Sequence, residues 1–320
     1  MKNIFILLIS MCFCHMLIAC DFCNCYLGLN PQYKKNIVGL RTHYKLYNGT
    51  HHDLAEFSDA ALTNKDFWEK RTEVELHAQW YPVQKLQIIF SLPYIYNIEG
   101  MSAPAQLAFG NHHHDNENEN NSAGPISGFG DPLIIAQYQL FNKTNSDTNK
   151  LSHRLFAGGG VKFPLGKYKL GDNADPLDRT HQPGSGSFDF IASATYLAKI
   201  KRAGFNVNVS YLQSTMNNES FQFGNRFNAN AIFYYQCNIS KTLFFPNIGC
   251  FVEQSQKDWT NNYYIGNSGG QIIYAHAGLD FYFNKLSLNT AVQLPVHQKL
   301  NSPQPEMKYR IITGISVALN

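Results

Sequence analysis

The sequence predicts an all-β fold: an antiparallel transmembrane β-barrel of about 12 strands, with short periplasmic turns and long external loops. Three observations lead there. The first is alternation. In Gly270–Phe283, one set of alternate residues is Ile273, Ala275, Ala277, Leu279, Phe281 and Phe283; the other is Ile272, Tyr274, His276, Gly278, Asp280 and Tyr282. Successive side chains of a strand point to opposite faces, so one face is apolar and the other carries a histidine and a carboxylate. The stretch also outruns the roughly 5–6 residues of an ordinary strand and reaches the ~9–11 that cross a bilayer at a tilt. The second observation is an asymmetry of connections, short after even-numbered strands and long after odd-numbered ones. The third is composition: 15% charged residues, against roughly 25% in a typical soluble domain, together with 23 Phe and 18 Tyr.

Taken in order, Met1–Ala19 has the basic start, apolar run and small terminal residues of a secretory signal. The next segment, 20–35, is rich in cysteine. Leu17-Ile18-Ala19-Cys20 resembles a bacterial lipobox, which makes Cys20 a lipidation candidate; ordinary cleavage after Ala19, leaving a plain thiol, is the alternative. Cys20, Cys23 and Cys25 could hold a soft metal or exchange a disulfide. A zinc or iron–sulfur site wants four ligands and no second CxxC exists, so the expectation is no cofactor. The stretch Asp21–Lys35 carries Tyr26, Leu27, Leu29 and Tyr33, too apolar for a free periplasmic tail, and is expected to plug the periplasmic mouth.

The barrel itself is expected over 36–320. Asn36–Tyr47 alternates Val38, Leu40, Tyr44 and Leu46 with Arg41, His43 and Lys45. Arg71–Tyr81 sets Thr72, Val74, Leu76, Ala78 and Trp80 against Arg71, Glu73, Glu75, His77 and Gln79. Lys85–Asn97 follows across a tight turn, and then a long solvated loop, 98–127, which contains His112, His113 and His114. Adjacent loop histidines bind metals as tags do, without fixed geometry. Further strands are expected at Gly128–Phe141, Arg154–Phe163, Ser187–Ile200, Phe205–Ser214, Asn225–Asn238, Leu243–Gln254, Gly270–Phe283, Lys285–Val296 and Lys308–Leu319. An even count brings both termini to the periplasmic side, and closure leaves no sheet edge for lipid to punish. Pro93, Pro164 and Pro295 fall near strand ends, where pairing stops or bulges.

Three segments stand out: Gly128-Phe129-Gly130-Asp131-Pro132, then Gly159 to Tyr168 (G-G-V-K-F-P-L-G-K-Y), then Gln182 to Phe190 (Q-P-G-S-G-S-F-D-F). In this order they resemble motifs of the outer-membrane barrel family named for the meta-pathway of phenol degradation, whose members are described simply as transporters. The resemblance spans roughly the mature chain, with the specific motifs in its middle third; the cysteine cluster is not part of that pattern. It implies the outer membrane of a Gram-negative bacterium, passage of a small solute, and assembly by the barrel-assembly machinery.

The face expected to line the lumen holds Arg71, Glu73, Glu75, His77, Arg154, Lys162, Arg226, Glu253, His276, Asp280, Lys308 and Arg310. Both signs are present, so these charges make either a salt-bridge network that fills a narrow barrel or a polar conduit. Asp131 and Asp189 are not paired with Lys162 from the sequence, because their register is not legible there. The expected function is passive passage of a small apolar or aromatic solute. The rivals are a metal-binding or redox-linked lipoprotein using the N-terminal cysteines, and a structural or surface-binding barrel. An enzyme is not expected: outer-membrane phospholipases share the strand number, but the close His–Ser pair they carry on one strand has no counterpart here. The partners expected are outer-membrane lipid and an unidentified solute. A net charge of +3 offers no basis for nucleic-acid binding.

Overall fold

The computed structural model describes residues 35–49, 67–101, 125–168, 181–239, 242–260, 263–301 and 304–319. The signal, the lipidation candidate Cys20, the cysteines Cys23 and Cys25, the Tyr26–Tyr33 segment and His112, His113 and His114 lie outside the described residues.

The strands are β1 (Ile37–Gly49), β2 (Phe67–Val83), β3 (Leu86–Met101), β4 (Ile126–Phe129), β5 (Leu133–Lys143), β6 (Ser152–Lys162), β7 (Asp189–Ile200), β8 (Ala203–Gln213), β9 (Phe221–Gln222), β10 (Arg226–Tyr235), β11 (Cys237–Ile239), β12 (Thr242–Ser255), β13 (Trp259–Thr260), β14 (Tyr263–Tyr264), β15 (Gly270–Phe283), β16 (Leu286–Leu300) and β17 (Glu306–Ala318). Fourteen of them form one sheet, in which β4 with β5 and β10 with β11 each make a single interrupted stave, giving twelve staves in all. Every pairing is antiparallel. The ring closes where β1 lies along β17, from Ile37 opposite Ala318 to Asn48 opposite Glu306. The tight turns 84–85, 201–202 and 284–285 lie at the end of the barrel where both termini of the sheet meet, the periplasmic end; the other end is external.

Prolines explain where staves break. The expected strand Gly128–Phe141 is two strands, because β4 pairs with β3 up to Tyr94–Phe129 and β5 resumes at Ser91–Leu133. Pro93 sits at that gap and offers only its carbonyl, which accepts from the Gly130 N–H at 2.8 Å. The expected Asn225–Asn238 strand breaks at Gln236, and Pro246 lies opposite, between Asn247 (paired with Tyr234) and Phe244 (paired with Cys237). Pro295 stands at the register shift of β15 against β16. A residue without an N–H cannot complete the ladder, so its neighbour bends or stops there.

The pattern of burial is inverted relative to a soluble sandwich. Arg41, His43, Lys45, Arg71, Glu73, Glu75, His77 and Asp280 are buried, while Leu40, Trp80, Ile134, Phe190, Ile248, Leu294 and Val296 are exposed around the outside. Along β2 the buried residues alternate from Phe67 through Gln79, and along β15 from Ile272 through Asp280 and Tyr282. A small sheet of β9, β13 and β14 stands beyond the external end and was not legible as strands.

Candidate functional site: the barrel lumen and its external latch

The inner wall is built by parity. On β1 and β2 the inward residues meet across the pair: Arg41 opposite Glu75, His43 opposite Glu73, Lys45 opposite Arg71. Arg41 reaches the Glu75 carboxylate at 3.2 Å, His43 stands 3.9 Å from the same group, and Lys45 is 3.8 Å from Glu73. His77 shares a hydrogen bond of 3.1 Å with the hydroxyl of Ser316 on β17.

A second network crosses β17, β16, β15 and β12. The Arg310 guanidinium donates to both oxygens of Glu253, at 2.7 and 3.0 Å, to the Gln293 amide oxygen at 3.0 Å and to the Tyr274 hydroxyl at 3.2 Å. Tyr274 donates in turn to Glu253 at 3.1 Å. Bidentate pairing in low dielectric is the stronger form of such a contact. From Gln293 the chain continues to His276 at 3.3 Å, then Asn247 at 2.9 Å, whose amide donates to Asp280 at 3.0 Å. His276 and Asp280, together on the polar face of one strand, are thus tied through Asn247 of the next.

The opposite wall is different. Ile89, Ile135, Ile191 and Leu212 point inward from β3, β5, β7 and β8 and pack together, with Leu133 beside them. These residues lie in one cross-strand row, with Gln137, Ser193 and Asn208 buried on the same strands. A larger apolar cluster that includes Tyr47, Ile232, Met307 and Ile312 lies on the side of the Arg310 network. Arg154 lies low on β6, near the periplasmic end, where its Nε donates to Asn142 at 3.1 Å. Arg226 opens β10 at the external end, buried, with its guanidinium carbon 5.9 Å above the Phe223 ring.

Lys308 departs from the expected arrangement. It is exposed and pairs with Glu306 at 2.8 Å. The β1–β17 register shifts between Leu46, opposite Tyr309, and Tyr47, opposite Met307. One extra residue in β17 reverses the parity on the external side of Arg310, so Lys308 points away from the lumen.

The three motif segments converge at the external end. Asp131 accepts from the Gly166 N–H at 2.9 Å, the Ser185 N–H at 2.8 Å and the Ser185 hydroxyl at 2.6 Å. Lys162 stands 3.3 Å from Asp131, donates to Ser185 at 2.7 Å and contacts Asp189, its cross-strand partner. Asp189 also accepts from the Ser187 hydroxyl at 3.0 Å. Lys162 does pair with both aspartates: Lys162 ends β6, Asp189 opens β7 and Asp131 lies between β4 and β5, all at the external rim. Backbones approach closely here. A Cβ on Gly166 would lie 2.7 Å from an Asp131 oxygen, and one on Gly184 would lie 2.7 Å from the Gly166 carbonyl carbon, so neither position has room for a side chain.

Two loop residues that sequence reasoning did not single out complete this end. His181 lies 3.6 Å from Glu69 of β2 and 3.5 Å from Glu99 of β3. Burial works against its charge, but Glu69 and then Glu99 outweigh it and raise its pKa to about 9. Asp258 accepts from the Gly224 N–H at 2.7 Å, and burial pushes its pKa up to about 6 despite that bond and Arg226. Neither has a local sequence signal; both gain their surroundings only from chain segments far away.

No protein-family model matches the sequence, and no curated protein matches it. Among solved structures, an outer membrane channel from Pseudomonas putida F1 superposes with a TM-score of 0.62 at 11% identity, covering 91% of this chain and 100% of that one. The chain is an outer-membrane β-barrel. The barrel also matches the NanC porin, TM-score 0.43 at 10% identity over 88% of this chain and 100% of that one, and the monoaromatic hydrocarbon channel TodX, TM-score 0.41 at 8% identity over 91% of each. At these identities the likeness is one of fold. The closed sheet, the exposed apolar belt and the polar interior place the barrel in the outer membrane of a Gram-negative bacterium.

Proposed function

We propose that the barrel is a channel for passive passage of a small solute with an apolar or aromatic body. The observation that carries this is the closed ring with a polar inner face, crossed on β3, β5, β7 and β8 by an apolar row of Ile89, Ile135, Ile191 and Leu212. The fold shared with the Pseudomonas putida outer membrane channel supports the direction, not the solute. The His77–Ser316 contact is the nearest thing to a nucleophile pair, but the His77 Nδ1 has no hydrogen-bond partner to orient the ring, and we assign it no reaction.

Gating belongs to the same proposal. The segment Tyr26–Lys35 enters immediately before β1 and is proposed to occupy the periplasmic mouth. Barrels of this strand number are wider than the eight-stranded kind and narrower than open porins, so one short segment suffices to block them. Vesicle swelling with a neutral aromatic alcohol, and conductance in planar bilayers, test the whole reading. Deleting Tyr26–Lys35 is expected to raise both while the protein still shifts on an unboiled gel. If intact and truncated barrels both pass nothing, the channel reading fails and a structural or surface-binding barrel replaces it.

A further inference from the structure

The turns at the periplasmic end are strongly basic. Lys85, Lys143, Lys150, Lys201, Arg202 and Lys285 are all exposed in or beside them, and among the described residues Asp147 is the one carboxylate exposed with them. Asp147 serves its own turn: one oxygen accepts from the Asn149 N–H at 2.9 Å and from the Asn149 side-chain amide at 3.1 Å. The excess is local, because the whole chain carries only +3 and the external end exposes both signs, as in the Lys308–Glu306 pair. Backbone bonds fix where the basic side chains stand. The Lys85 carbonyl accepts from the Gln139 N–H, that of Arg202 from Gln236 and that of Lys285 from Ala318, each at 2.7 Å, and the Lys201 N–H donates to the Thr148 carbonyl at 2.8 Å. Lys201 has a φ of 52°, a left-handed conformation that asparagine takes more readily, as Asn284 does at 54° in the matching turn of β15 and β16. Backbone preference therefore does not account for lysine there; its charge is what it adds.

We propose that this rim binds the anionic headgroups of phospholipid in the periplasmic leaflet of the membrane around it. Position selects that partner. Trp80, Tyr138, Phe141, Phe205, Tyr235 and Phe283 are exposed on the strands that lead into these turns. Aromatic rings gather where hydrocarbon gives way to headgroups. The cations begin just beyond them: Lys143 follows Phe141 on the same face of β5, and Lys285 follows Phe283 across Asn284. They therefore stand at the depth of the lipid phosphates. They are also spread round the ring, over the β2–β3, β5–β6, β7–β8 and β15–β16 turns, rather than gathered about one point. A small soluble anion needs converging donors, whereas a leaflet meets a barrel along its whole circumference. Each basic residue near an anionic lipid surface strengthens association by about fivefold, and turns already fixed by backbone bonds lose little freedom in binding. The assignment concerns the outside of the wall and is independent of what the lumen passes.

The full-length mature protein is reconstituted in phosphatidylcholine vesicles that hold a trace of spin-labelled phosphatidylglycerol or, in parallel, spin-labelled phosphatidylcholine. Electron spin resonance reads the fraction of label held against the wall. Phosphatidylglycerol is expected there severalfold in preference to phosphatidylcholine, and the preference should shrink as salt rises. Lys85→Gln, Lys143→Gln and Lys285→Gln together should remove most of it. Lys201→Asn should lower it while melting no lower than the parent, since the φ at that position suits asparagine; this separates lipid contact from fold. Lys70→Gln with Lys299→Gln, both exposed at the external end, should leave it unchanged. Each variant is first shown to be folded by its unboiled gel shift. Inorganic phosphate should weaken the preference no more than chloride at the same ionic strength. Equal retention of the two lipids, a preference that survives the triple substitution, or one lost as fully with the external pair would each overturn the assignment. So would a preference that phosphate alone abolishes, which would mean a site for the free anion instead.

Discussion

Asp131→Ala should release the external latch while leaving the barrel closed. The carboxylate accepts from two backbone amides and one hydroxyl and faces Lys162 at 3.3 Å, all in a buried setting. Its loss leaves the Gly166 and Ser185 N–H groups without their acceptor and returns Lys162 to Asp189 and Ser185 alone. Removing one partner of a buried charge pair costs about 3–5 kcal/mol. With a tenfold change per ~1.4 kcal/mol, the Gly166 and Ser185 amides should exchange with solvent roughly a hundredfold or more faster. The β6–β7 ladder, from Lys162–Asp189 down to Ser152–Lys199, does not depend on Asp131 and should keep its protection. Hydrogen exchange read by mass spectrometry separates the two. Unchanged exchange at Gly166 and Ser185 would refute the latch; loss of protection along β6 and β7 as well would mean that Asp131 supports the barrel itself.

Other consequences concern single charges. His181 is raised from 6.5 to about 9, so its contribution, on the order of 3 kcal/mol, is complete below pH 6.5 and is lost as pH rises through 9. Proteolysis of its loop should therefore quicken between pH 7.5 and 9.5, and His181→Gln should abolish that step. Asp258 is raised from 3.8 to about 6, so ionising it costs stability that is intact below pH 3.8 and lost as pH rises through 6. Asp258→Asn retains an acceptor for Gly224 and should melt higher than the parent at pH 8 but not at pH 4. Arg310→Met strands the Glu253 carboxylate and should cost about 3–5 kcal/mol in urea unfolding, whereas adding Glu253→Gln should recover most of it. Equal stability of the single and double variants would show that the pair is not coupled.

The fold was legible because a barrel in lipid obeys a local rule. Residues two apart share a face, and lipid outside with polar groups inside forces the alternation seen in Arg71–Tyr81 and Gly270–Phe283. That rule needs no knowledge of which strands are neighbours. It failed at Lys308, where one extra residue in β17 reversed the parity, an event that leaves no trace in β17's own alternation. It was equally silent on the breaks at Gly130–Pro132 and Gln236, which depend on prolines in the adjacent strands. The motif glycines and aspartates could be seen to matter, but their meeting at Asp131, Lys162 and Ser185 required the register of β5, β6 and β7. The same is true of His181 between Glu69 and Glu99 and of the row of Ile89, Ile135 and Ile191 across β3, β5 and β7. Periodicity along one strand determines which face a residue takes. Only closure of the sheet determines which residues from distant strands share that face, and charge compensation depends on those neighbours.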